Sequence, residues 1–146
     1  DESATGRLWG GCLSIVDWHL ASDRYLPEPT RLDGQILCVE TSEYVPLPGD
    51  VGGSLMAMGE RGLLERFGAV LLGRPPTRSH VADPPRGDRD AYREAVYDAV
   101  AEQVERYNPD APVVMGLDWG HTNPVAPLPM GREATVDPEA ERVVVR

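Results

Sequence analysis

Asp33-Gly34-Gln35-Ile36-Leu37-Cys38-Val39-Glu40 decides the fold. Asp-Gly is a turn signal, and residues 35–39 read as a strand of about five residues buried on both faces. The strand stops at a carboxylate, Glu40. Ala69-Val70-Leu71-Leu72-Gly73 repeats the pattern, and residues 112–117 supply a third strand running into Asp118-Trp119-Gly120-His121-Thr122-Asn123-Pro124.

Helical patterns fall between and around these strands. Leu13, Val16 and Leu20 recur at i, i+3 and i+7 and predict a short helix over 12–21. It follows a glycine-rich turn, Gly10-Gly11-Cys12. Pro27-Glu28-Pro29 breaks the chain into a loop, and Pro46, Pro48 and Gly49 make another. Leu55, Met56, Leu63, Leu64 and Phe67 predict a second helix within 51–67, capped by Ser54 and interrupted near Gly59 and Gly62. Asp88 or Asp90 caps the clearest helix, where Tyr92, Val96, Val100 and Val104 recur every four residues. It ends near Tyr107, because Pro109 disfavours helical geometry at Asn108. Residues 74–87 read as an exposed loop. Ala134 and Val136, then Arg142-Val143-Val144-Val145, read as a closing β-hairpin. Strand-helix alternation predicts a single α/β domain over 1–146, with a central parallel sheet plus antiparallel strands.

Composition narrows the function. The 146 residues carry 24 acidic and 14 basic side chains, a net charge of −10, which repels phosphate backbones and anionic lipid. Neither nucleic acid nor a membrane is an expected partner. No window approaches a membrane span, and the acidic start is unlike a secretory signal. Cys12 and Cys38 lie in apolar runs and read as buried free thiols, so a reducing cytoplasm is the expected compartment. Every basic residue is arginine, which removes lysine-based chemistry.

Glu40 and His121 each follow an apolar strand. Ligands of open α/β sheets gather at the carboxyl ends of strands, so parallel neighbouring strands would bring these two together. A carboxylate on Nδ1–H fixes the imidazole tautomer and makes the ring a general base. A turn histidine and a capping glutamate with no joint role is the plain alternative. No Gly-x-Ser-x-Gly elbow is present. Ser14, Ser42, Ser54 and Ser79 lack the context of a nucleophile. Cys12 is a possible thiol nucleophile if a helix N-terminus lowers its pKa, though a small buried residue at a tight turn explains it as well. His19, His80 and His121 lack zinc spacing, and Asp118, Glu40 and Glu43 read as surface charge, so no metal or other cofactor is expected.

Gly6-Arg7-Leu8-Trp9-Gly10-Gly11-Cys12-Leu13, Gly34 through Glu43, Gly73-Arg74-Pro75, Asp118 through Pro124 and Leu128-Pro129-Met130-Gly131 stand in one order. Together they resemble the C-terminal domain of the LD-carboxypeptidase family of serine peptidases, which includes the microcin C self-immunity peptidases. The resemblance runs from about Gly6 to Val145. It implies a swivelling β/β/α module and a Ser-His-Glu triad split across two domains. Glu40 and His121 take the acid and histidine positions. The serine belongs to an N-terminal nucleophile domain of the parent chain, so this chain alone is expected to be inactive. Homodimers are implied. The implied substrates are L,D amide bonds of murein peptides or the acyl link of aminoacyl-nucleotide antibiotics, with Glu40-Thr41-Ser42-Glu43 and Asp118 through Pro124 closer to the microcin-immunity branch. Gly10, Gly11 and Cys12 match a substrate-binding segment, but many members carry asparagine where Cys12 stands, and a thiol is a poorer hydrogen-bond partner than an amide. A binding module that keeps the fold without the chemistry is the other reading; a metal-dependent hydrolase using Glu40, His121 and Asp118 is the third.

Overall fold

The computed structural model describes residues 3–78 and 88–146. Most of the predicted 74–87 loop, with Ser79 and His80, lies outside the described residues. Among those described, six strands form one sheet in the order β4-β3-β2-β1-β5-β6. The strands are β1 (Ala4–Cys12), β2 (Ile36–Glu40), β3 (Ala69–Gly73), β4 (Val113–Leu117), β5 (Glu133–Asp137) and β6 (Arg142–Val145). The helices are α1 (Leu13–Ser22), α2 (Pro48–Glu60) and α3 (Arg89–Tyr107). Strands β1 to β4 run parallel; β5 and β6 are antiparallel additions. The result is a mixed α/β domain with a curled sheet.

The alternation of strand side chains builds two cores. Leu37, Val39, Val70 and Leu72 point to the helices, where they meet Val16, Leu55, Met58, Val96 and Val100. Ile36, Cys38, Ala69 and Leu71 point to the other face, where Ala134 and Val136 of β5 and the Trp119 ring cover them. Strands β2 and β3 are therefore buried on both faces, as their apolar runs require. Each fully buried Val or Leu contributes about 1.5–3 kcal/mol.

Two expectations need correction. Gly10-Gly11-Cys12 is not a turn; it is the end of the longest of the described strands, β1. The first half of β1 pairs with β5 (Ala4↔Val136 to Arg7↔Glu133), and its second half pairs with β2 (Leu8↔Ile36 to Cys12↔Glu40). Its glycines hide it, because they supply no alternating side chains yet allow backbones to approach closely. Second, α2 starts at Pro48 rather than near Val51, with proline in the first turn, where its missing N–H costs nothing. It stops at Glu60, and Leu64–Arg66 form a separate single turn. Ser54 is thus an interior residue of α2 and not its cap. The cap of α3 is Asp88, which accepts from the backbone N–H groups of Asp90 (3.0 Å) and Ala91 (3.1 Å). That helix ends at Tyr107 as Pro109 predicts, and the Asn108 amide donates to the carbonyls of Leu64 and Phe67.

Gly10 has φ +136°, and a Cβ placed there collides with the Cys38 carbonyl oxygen of the paired strand. Gly11 has φ +151°, with open space where its Cβ would be. Gly10→Ala should therefore lower unfolding stability by about 2–4 kcal/mol, and Gly11→Ala by only about 1 kcal/mol, in urea titrations followed by circular dichroism. Equal losses at the two positions would contradict this packing.

Candidate active site

Glu40 ends β2, and its side chain lies at the carboxyl rim of the parallel strands, 4% exposed. His121 lies on the loop after β4. Its backbone N–H donates to Glu40 Oε2 (3.0 Å), and its ring Nδ1–H donates to the same carboxylate, 2.8 Å from Oε2 and 3.0 Å from Oε1. A buried carboxylate without partners is costly, so two N–H donors on one carboxylate are what keep Glu40 folded inward. The His121 ring is 41% exposed and reaches the rim. Its other nitrogen, Nε2, lies 3.1 Å from Glu43 Oε2. The structure brings the two candidates together.

It does not do so by the expected route. Strands β2 and β4 are not neighbours; β3 lies between them. The contact crosses the end of β3 because Gly73 has no side chain. A Cβ there would stand 2.7 Å from the Trp119 carbonyl oxygen and 2.9 Å from Glu40 Cβ. Gly120, at φ +85°, clears the other side, since a Cβ there would fall 2.5 Å from Glu40 Cγ and Oε2. The loop is then clipped in place. Arg74, directly after β3, grips Asp118 Oδ1 through Nε (2.9 Å) and Nη2 (2.6 Å), and its backbone N–H donates to the Leu117 carbonyl (2.7 Å). The Trp119 ring is buried in the second core. The sequence offered Gly73, Arg74, Asp118 and Gly120 only as parts of motifs, not in their clearance and clamp roles. The Gly73-Arg74 step straight after an apolar strand was the available signal.

The remaining candidates surround the pair. Cys12 sits opposite Glu40 in the β1–β2 register and immediately precedes α1. Gly11 precedes it on the rim, whereas Gly10 is taken up by packing against Cys38. The helix N-terminus does not activate the Cys12 thiol. Burial pushes its pKa up and the Glu40 charge adds to this, outweighing the hydrogen bond with Ser14 (3.2 Å). Burial pushes Cys38 up to about 12. Both cysteines are free; Cys38 is buried as expected, whereas Cys12, at the rim, is only half-buried. Among the described residues, no serine hydroxyl contacts His121: Ser14 meets Cys12, Ser42 accepts from the Tyr44 N–H, and Ser54 donates to Asp17 (2.5 Å). His19 packs edge-on against Tyr25 instead.

A cavity of about 230 Å³ lies between the starts of α1 and α2, lined by Ser14, Asp17, Thr41, Tyr44, Asp50 and Ser54 among others; neither Glu40 nor His121 lines it. Burial raises the pKa of Asp17; the Ser54 hydroxyl opposes this, and the Asp50 charge reinforces it.

An α/β domain that presents an acid–imidazole pair at the carboxyl rim of its parallel strands is built like one part of a hydrolase. The chain belongs to a peptidase family: it matches the LD-carboxypeptidase C-terminal domain family over residues 5–136. Among solved structures it is similar to an MccF-like protein from Streptococcus pneumoniae, determined in complex with AMP. That pair shares 26% identity and a TM-score of 0.74, covering 99% of this chain and 41% of that one. It also resembles the muramoyltetrapeptide carboxypeptidase from Oxalobacter formigenes, at 26% identity and TM-score 0.71, over 98% of this chain and 45% of that one. The microcin C7 self immunity protein MccF, solved with aspartyl sulfamoyl adenosine, shares the fold at 22% identity and TM-score 0.73, over 98% of this chain and 38% of that one. The chain thus spans less than half the length of these relatives. No curated protein sequence matches it significantly. Among the described residues, no helix is long and apolar enough to cross a membrane.

The raised Asp17 pKa has a sign that can be checked. The folded state holds the Asp17 proton more tightly than the unfolded chain, so this residue's contribution is best at low pH and worsens as pH rises through its folded pKa. Asp17→Asn keeps an acceptor for Ser54 and removes the charge. Thermal unfolding should show a higher melting temperature for the variant at neutral pH and little difference below about pH 3.

Proposed function

We propose that this chain is the C-terminal part of a two-domain serine-type carboxypeptidase, with His121 as general base and acid and Glu40 as the group that orients it. One observation carries the reading: both oxygens of a buried carboxylate hold the Nδ1–H of an imidazole that reaches the rim. That arrangement makes Nδ1 the protonated nitrogen, leaves Nε2 to accept a proton once Glu43 has moved off it, and stabilises the imidazolium that follows. The nucleophile is a serine of an N-terminal domain of the same parent chain. Its hydroxyl displaces the Glu43 carboxylate from Nε2 and gives up its proton there as Oγ bonds to the scissile carbonyl carbon. The imidazolium returns the proton to the leaving group when that bond breaks; a water then gives its proton to the imidazole as it attacks the acyl carbon, and the proton passes to the serine Oγ as the acyl–Oγ bond breaks. The oxyanion hole, like the serine, comes from the other domain.

The substrate classes are L,D amide bonds of murein peptides and the acyl or amide link of aminoacyl-nucleotides. The carboxypeptidase from Oxalobacter formigenes supports the first, and the AMP and aspartyl sulfamoyl adenosine complexes support the second. Gly11 and Cys12 flank the bound substrate at the end of β1, with Gly10 behind them. The assembly is a cytoplasmic homodimer.

The purified 146-residue chain should hydrolyse neither substrate class. In the parent enzyme, His121→Ala should lower kcat by about 10³-fold or more and Glu40→Ala by about 10²-fold or more. Glu43→Ala should retain kcat within about tenfold, because that carboxylate must leave before reaction. Steady-state kinetics decide it: wild-type rates for either of the first two variants, or turnover by the isolated chain, would overturn the assignment.

A further inference from the structure

Cys12 takes no part in the proton transfers of this chemistry, yet it is the third member of a tight group. Its Sγ, a Glu40 carboxylate oxygen and a His121 ring nitrogen all lie within 4.8 Å of one another. The three come from separate, well-anchored places: the β1–α1 junction, the end of β2, and the loop clipped by Arg74 and Asp118. Sulfur, nitrogen and oxygen donors together suit a borderline-soft divalent cation. Hard Mg²⁺ and Ca²⁺ prefer oxygen alone.

We propose that Cys12, Glu40 and His121 form a binding site for a Zn²⁺-class cation, and that the bound ion blocks the hydrolytic site. Ligand atoms around tetrahedral zinc stand about 3.3–3.7 Å apart. The Glu40–His121 pair must therefore open slightly from 2.8 Å while the sulfur closes in. The Cys12 thiol gives its proton to solvent as the ion binds, so thiolate and carboxylate balance the double positive charge. The neutral imidazole supplies the third ligand through Nδ1, whose proton passes by way of solvent to Nε2, the nitrogen beside Glu43. The fourth position is left to water, the arrangement of three protein ligands and one exchangeable position. With Nδ1 on the ion, Nε2 carries the ring's proton and has no lone pair for the serine, so the ring cannot act as base while the ion is bound. The blocking half of this proposal rests on the base role of His121; the binding half does not.

Co²⁺ is the probe, because thiolate-to-cobalt charge transfer is visible in the near-ultraviolet. Titrating the 146-residue chain should produce that band together with the visible bands of a tetrahedral site, and Zn²⁺ should abolish both by displacement. Cys12→Ser should lose the charge-transfer band, and His121→Ala should weaken Co²⁺ binding at least tenfold. Cys38→Ser should keep the band unchanged, and circular dichroism confirms that each variant is folded. In the parent enzyme, Zn²⁺ should inhibit, and Cys12→Ser should raise the inhibitory concentration at least tenfold relative to that variant's own uninhibited rate. A wild-type chain without the band, or a folded Cys12→Ser chain that keeps it, would overturn the site. Intact cobalt binding without inhibition would overturn the blocking role alone.

Discussion

Glu40 reaches His121 across the end of a strand that belongs to neither, and the missing side chains of Gly73 and Gly120 leave the path open. A carboxylate at the edge of an apolar core carries a heavy desolvation cost. Two N–H donors from one residue, backbone and ring, offset it. The same contacts fix the ring, so what keeps the charge tolerable also sets the imidazole's tautomer. The loop cannot drift, because Arg74 holds Asp118 and Trp119 is sunk into the second core.

The rest of the fold follows from holding that rim steady. Strands β2 and β3 are sealed on both faces, so their ends have little freedom. Strand β1 changes partners midway, antiparallel to β5 and then parallel to β2, which wraps the hairpin over the face opposite the helices. That wrap supplies Ala134 and Val136 as the second core's lid. Trp18, Tyr44, Leu47 and Met56 remain exposed.

Apolar runs and four-residue periodicity made β2, β3, β4 and α3 legible, because buried strands and amphipathic helices write themselves into local sequence. Strand β1 was not legible: Gly6, Gly10 and Gly11 erase alternation, and its closeness to β2 exists only once both strands are placed. The start of α2 was hidden because Pro48 reads as a breaker until its first-turn position is known. Glu40 and His121 stood out as polar residues after apolar strands. The route between them did not, since neither the strand order nor the clearance at Gly73 is a property of neighbouring residues. The pKa of Cys12 also turned on tertiary facts. Burial and the facing Glu40 outweigh the helix end that sequence placed beside it.

Imidazole NMR on the ¹⁵N-histidine-labelled chain tests the central contact most directly. The account predicts a proton on Nδ1 of His121, slow to exchange and shifted downfield by the carboxylate, and a ring signal that changes tautomer balance in Glu40→Gln. A freely exchanging ring, with Nε2–H dominant and the same spectrum in Glu40→Gln, would contradict it.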